Sequence, residues 1–167
     1  MPDHQLTHKD HKSSPIKKRL VLMCDGIQSP ANIGAIFRLV DAFAVEEIIF
    51  GDVNIDLSSS RLRRTARNTY DVVRFRESEH LPNTLSQLHN DGFSSVAIEI
   101  TEKSTPLNKL KMDAQKVVLI LGNERHGISS QLLAIAENTS HIPMLGNNSS
   151  MNVAQAAAIA FYELRRG

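Results

Sequence analysis

The residues able to do chemistry fall in three polar, glycine-containing stretches: Asn32 to Arg38, Gly122 to Gly127, and Gly146 to Asn152. The first offers Asn32 and Arg38, the second Glu124, the third Ser150 and Asn152. An amide, a guanidinium, a carboxylate and a hydroxyl suit the binding of a polar ligand and the alignment of one reactant against another, rather than covalent catalysis. Each residue also has a plainer reading. Arg38 can be a surface arginine on a helix, Asn32 a helix cap, and Glu124 an exposed turn carboxylate. Ser150 and Asn152 can simply start the last helix.

Several other chemistries are poorly supported. Gly-Asn-Glu-Arg-His-Gly at 122–127 is not the G-x-G-x-x-G of a dinucleotide site. A P-loop, paired glycosidase-type carboxylates and the G-x-S-x-G of hydrolases are also missing. His4, His8 and His11 could hold a metal on a helix, yet no acidic or thiol cluster joins them, so no metal is expected. The single cysteine, Cys24, lies in an apolar run; it excludes an internal disulfide and points to a reducing cytoplasm. No apolar run approaches a membrane span and no signal peptide opens the chain, so no membrane is expected.

The elements that must position these residues follow from periodicity. At 167 residues the chain is one domain, with an aliphatic core because it has no Trp. Residues 1–18 read as a flexible basic arm containing histidines, polar from Met1 to Pro15, and residues 19–167 as the domain. Short apolar runs at Leu20–Met23, Ile48–Phe50, Val72–Phe75, Val96–Ile100 and Val117–Leu121 predict strands, and Ile142–Met144 a further short one. Helices are predicted over Ile33–Ala44, Ser58–Arg67, Leu81–Asn90, Ser130–Glu137 and Val153–Leu164. Strands alternating with helices imply an α/β fold, a mostly parallel sheet with helices on both faces. Val117–Leu121 is the most hydrophobic strand and is expected at the centre. The three polar stretches follow or lie near strand ends, so they should converge on one site at the carboxyl edge of the sheet. The last helix is rich in alanine, which permits close packing on more than one side. Net charge is only +1, but arginines cluster at 61, 63, 64 and 67, with Arg74 and Arg76 beyond. Such clustering serves phosphate binding more than the total does.

The three stretches carry a family resemblance. N-x-G-x-x-x-R at Asn32 to Arg38, G-x-E-x-x-G at Gly122 to Gly127, and I-P-M-x-G-x-x-x-S-M-N-V at Ile142 to Val153 resemble the three motifs of the SpoU branch of the SPOUT superfamily. The resemblance covers Arg19 to Arg166. It implies a SPOUT-type fold whose C-terminal segment forms a trefoil knot, and a homodimer whose site is completed at the subunit interface. It implies transfer of a methyl group from S-adenosylmethionine (AdoMet) to a ribose 2′-oxygen of RNA.

By position, Leu121, Gly122, Ile142, Met144 and Met151 match the family's AdoMet-contacting points, with Ile100 and Thr101 as further candidates. Met151 stands where many relatives have Leu, a volume-conserving change. Arg38 becomes the residue at the hydroxyl. Mechanisms suggested for the family make it the general base. A guanidinium gives up its proton only at great cost, which favours instead a clamp on the developing alkoxide and its phosphate. Asn32, Glu124, Ser150 and Asn152 would orient it or link the motifs. Arg61, Arg63, Arg64 and Arg67 would hold RNA.

The chain lacks the separate N-terminal RNA-binding domain of many rRNA-modifying relatives, which favours tRNA. Leu121 to Ile128 resembles relatives that methylate a guanosine of the tRNA D-loop. Arg61 to Arg64 resembles the compact enzymes of the wobble nucleotide. The alternatives are an rRNA ribose methyltransferase, an RNA-binding protein of this fold without catalysis, or an unrelated nucleotide-binding α/β enzyme.

Overall fold

The computed structural model describes residues 15–166, so the expected arm, with its three histidines, falls mainly outside the described residues. Strand β1 (Arg19–Asp25) explains the layering. Alternate side chains of a strand face opposite ways. Leu20, Leu22 and Cys24 enter one core and Val21 and Met23 the other, all buried. Strand β6 (Lys116–Gly122) repeats the pattern, with Val117, Leu119 and Leu121 on one side and Val118 and Ile120 on the other. A strand apolar on both faces belongs inside a parallel sheet. The two strands pair in parallel, from Arg19 opposite Lys116 to Asp25 opposite Gly122.

Around this pair the order is β3 (Phe75–Ser78), β2 (Glu47–Gly51), β1, β6, β4 (Ser94–Ile98), β7 (Asn138–His141) and β5 (Thr105–Pro106), every pairing parallel. Helices α1 (Pro30–Ala42), α2 (Ser60–Ala66) and α5 (Val153–Arg166) cover the face of Leu20 and Leu119. Helices α3 (Leu81–Asn90) and α4 (Ser130–Ile135) cover the other. The expected α/β class, the central position of β6 and the two helical layers are all present. No helix of the described residues is long and apolar enough to cross a membrane.

Three strands lie elsewhere than the apolar runs predict. The third begins at Phe75, because Val72 and Val73 instead close a 3₁₀ turn, both donating to the carbonyl of Thr69. Val72 is left 74% exposed. The strand after α4 is the polar Asn138–His141 rather than Ile142–Met144. Its buried Ser140 sits 3.3 Å from the Thr105 hydroxyl, so the polar run is satisfied inside the sheet. The fourth strand ends at Ile98, two residues early, which puts Glu99 and Ile100 beyond the strand end.

Two contacts set the site's frame. The glycine of the first motif, Gly34, is where α1 meets α2: a Cβ there would stand 2.0 Å from Thr65 Oγ1 and 2.5 Å from the Leu62 carbonyl. Gly34→Val should therefore push α2 off α1 and destabilise the protein by about 2–3 kcal/mol. A thermal midpoint within a degree of wild type would show that this packing is slack. At the far end of α5, the Arg165 guanidinium donates to the carbonyls of Phe43 (2.9 Å), Ala44 (2.7 Å) and Lys18. One side chain thus ties the last helix to the end of α1 and the start of β1.

Candidate active site

The second motif forms a closed loop after β6. Asn123 and Gly127 exchange both backbone hydrogen bonds, at 3.0 and 2.9 Å. The Asn123 side-chain carbonyl accepts from the amides of Arg125 (2.9 Å) and His126 (3.1 Å), and its amide donates to the Gly26 carbonyl at 2.5 Å. Gly127 has φ +68°, and a Cβ on Gly122 would lie 2.2 Å from the Gly127 carbonyl carbon. The two motif glycines let the loop's backbone double back on itself.

This loop aims Glu124 at the entry of α1. Glu124 accepts from the Asn32 side-chain amide (2.9 Å) and from the backbone amides of Ser29 (3.2 Å) and Gln28 (3.4 Å). The Asn32 side-chain carbonyl in turn accepts from the Asn152 amide at 2.9 Å. The Asn152 carbonyl caps α5, accepting from Ala154 at 2.9 Å and Gln155 at 3.4 Å. Only one orientation of each amide suits this relay: the carboxylate demands the Asn32 NH₂, which leaves its oxygen for Asn152. Three motifs spread over more than a hundred residues are thereby one hydrogen-bonded unit. Burial alone would raise the Glu124 pKa, but the bonds from Asn32, Ser29 and Gln28 outweigh it and leave it lowered. The relay therefore keeps its charge at neutral pH and is lost only as pH falls through the lowered value, below the usual carboxylate range.

The cap of α1 is Ser29, whose hydroxyl accepts from Asn32 N at 3.4 Å, so Asn32 is not the cap. Asn152 is both a cap and a bridge. Ser150 makes no hydrogen bond to the first motif among the described residues, though it borders the same cavity.

That cavity, about 510 Å³, opens at the carboxyl ends of β4, β6 and β7. Of the residues expected to hold a cofactor, Ile100, Leu121, Gly122, Ile142, Met144 and Met151 line it. Thr101 does not; its amide is taken by the Ser104 hydroxyl at 3.0 Å, in a loop pinned to His141. Asn32, Glu124 and Asn152 form one wall, and Ile98, Leu121 and Ala156 are among its apolar surfaces. Sequence reasoning missed Glu99, Asn123, Arg125 and His141, which also line it. Asn123 and Arg125 were signalled by their place inside the second motif. Glu99 follows β4 and His141 ends β7, two strands whose ends the apolar pattern misplaces.

Arg38 stands apart. It is exposed on α1, six residues from Asn32 and so about 120° away around the helix. It does not border the cavity of its own chain. Cys24 is fully buried, and burial pushes its thiol pKa up, so it offers no nucleophile. In the arginine cluster, Arg63 donates to the Leu57 carbonyl at 2.7 Å and lies 5.9 Å from the Tyr70 ring, a structural engagement. Arg74 and Arg76 pair with Glu47. Arg61, Arg64 and Arg67 are exposed and make no side-chain ion pair among the described residues.

The sequence profile of the SpoU rRNA methylase family matches residues 19–162. The chain is 30% identical over 150 residues to the 23S rRNA (guanosine(2553)-2′-O)-methyltransferase RlmP of Bacillus subtilis, covering 88% of this chain and 58% of that protein. It thus spans little more than half the length of that curated relative. Among solved structures, the AdoMet-bound rRNA methyltransferase from Sinorhizobium meliloti superposes with a TM-score of 0.82 at 25% identity, over 91% of this chain and 57% of that one. A structure described as giving insight into the 2-OH methylation of C/U34 on tRNA superposes with a TM-score of 0.78, also at 25% identity, over 90% of this chain and 96% of that one.

Proposed function

Since the chain belongs to the SpoU rRNA methylase family, we propose that it is an AdoMet-dependent RNA 2′-O-ribose methyltransferase, acting on tRNA as a homodimer in the cytoplasm. The single observation that carries this reading is the relay from Glu124 through Asn32 to Asn152, which fastens all three motifs around one cavity. The cavity fits the cofactor. Ile98, Leu121, Ile142 and Ala156 offer apolar surface for an adenine ring, and the Glu99 carboxylate offers negative charge to a cationic ligand. Gly122 lets the backbone of Gly127 and Ile128 close against the end of β6, which shapes the cavity's edge. When bound, AdoMet supplies a methyl group on a cationic sulfur, which keeps the bonding electron pair as the methyl passes to the ribose oxygen and the hydroxyl proton goes to solvent.

The chain's own residues would do the rest. Asn32 and Glu124 hold the cavity wall rigid. Arg38, off its own cavity, is proposed to enter the cavity of the second copy, stabilising the alkoxide and gripping the adjacent phosphate. Support for the dimer comes from α5, whose Ile159 and Tyr162 are 42% and 63% exposed beside α1. The trefoil knot is proposed with the fold: residues 142–152 run past the cavity and α5 packs back against α1 and β6. Residues 19–167 are proposed as the catalytic domain, and residues 1–18 as an arm.

The tRNA preference draws on the tRNA-directed structural relative and on the arginine cluster of α2. An rRNA substrate is the second reading, favoured by the Bacillus subtilis relative. Labelled AdoMet should bind, and label should move to bulk tRNA and not to ribosomal RNA. Transfer to rRNA alone selects the second reading, and AdoMet binding with no transfer to either points to a protein without catalysis.

For the RNA contact, changing Arg61 and Arg64 together to Ala should weaken tRNA binding and flatten its salt slope by about 1.5, leaving AdoMet affinity unchanged. A filter-binding titration whose slope matches wild type would leave α2 as a solvated face.

A further inference from the structure

Glu99 belongs to none of the three motifs, yet it is built into the cavity wall. It follows β4, and its two carboxylate oxygens are held by different segments: one accepts from Ile100 N at 3.0 Å, the other from Ile128 N at 3.0 Å. The second oxygen lies where Gly127 must lack a side chain, since a Cβ there would come within 2.4 Å of it. The carboxylate is therefore fixed in place. Its partners are neutral amides, which orient the charge without cancelling it. None of the ion pairs among the described residues includes Glu99. The other charged or titratable groups on the lining are Glu124, Arg125 and His141. Glu124 turns its oxygens toward α1, where three donors engage them.

We propose that Glu99 is a specificity-determining residue that makes the cavity favour the cationic cofactor over its spent, neutral form. The proposal rests on the AdoMet reading above. AdoMet and S-adenosylhomocysteine share the same adenosine, amine and carboxylate. They differ by one methyl group and one positive charge on sulfur. A fixed carboxylate attracts the first ligand and gains nothing from the second, so the negative charge favours loading before transfer and release after it. Because the side chain is partly exposed, solvent screens the effect to about fivefold in the ratio of affinities.

Calorimetry with both ligands on the full chain tests this without any turnover. Glu99→Gln keeps the shape and removes the charge, so the AdoMet to S-adenosylhomocysteine affinity ratio should fall about fivefold from its wild-type value. Should the Gln side chain, with one acceptor for two amides, prevent folding, Glu99→Ala lets water reach both amides and must give the same fall. Glu99→Asp keeps the charge on a shorter arm; both affinities should drop together while the ratio stays. A wild-type ratio in the folded neutral variant overturns the inference, as does a ratio that falls as far in Asp as in Gln. Wild-type protein that binds neither ligand would sink the methyltransferase reading itself, a different outcome.

Discussion

Arg38→Ala is expected to lower single-turnover methyl transfer by about three orders of magnitude or more while AdoMet affinity stays within about twofold of wild type. The cavity proposed for the cofactor is assembled from the ends of β4, β6 and β7 and the start of α5, and Arg38 does not line it. An exposed arginine with no ion pair among the described residues contributes little to stability, so the folded state should be unaffected. Arg38→Lys separates two roles. Lysine gives up its proton more readily than arginine but cannot make the planar two-pronged contact. If the residue takes the hydroxyl proton, Lys should retain activity that rises with pH. If it clamps alkoxide and phosphate, Lys should be nearly as poor as Ala at every pH, which is the outcome expected here. Single-turnover rates across pH for the three proteins decide between them, and a wild-type rate from Ala removes Arg38 from the mechanism.

The contrast between Arg38 and Glu99 shows what could be read from the chain. β1 and β6 were legible because burial on both faces leaves a continuous apolar run, and α1 because its apolar residues recur at helical spacing. The motif residues were legible because turn chemistry marks the ends of buried strands. What could not be read was partnership. Nothing in the order of residues says that Glu124 takes Asn32 rather than Arg38, or that Asn32 leaves the cap to Ser29; both follow from how the second motif folds over the first. Glu99 was hidden for a local reason. Val96–Ile100 reads as a strand interior, but β4 ends at Ile98, so the Glu99 carboxylate stands beyond the strand end instead of inside it. The strand Asn138–His141 was hidden because its polar side chains are satisfied by neighbours distant in sequence, as at Ser140 and Thr105.

Gly122→Val is expected to reduce AdoMet binding below detection by calorimetry while the sheet survives. The added Cβ would meet backbone, 2.2 Å from the Gly127 carbonyl carbon and 2.4 Å from Ile128 N, so no side-chain rotation relieves it. The loop must open. Opening withdraws Ile128 N from Glu99 and carries Glu124 away from Asn32, so the cavity loses both carboxylate walls together. Gly122 is the last residue of β6, paired opposite Asp25, and the rest of that ladder stays intact. A folded variant with normal AdoMet affinity would refute the cavity assignment.

The same protein also tests where Arg38 acts. Gly122→Val chains have no working cavity but an intact Arg38, and Arg38→Ala chains have the reverse. If Arg38 serves the partner's cavity, hybrid dimers contain one complete site. Random exchange of equal amounts makes half the dimers hybrid, each with one of two sites, so activity should return to about a quarter of wild type. A mixture as inactive as its components would place Arg38 at its own chain's cavity and require α1 to turn toward it when RNA binds.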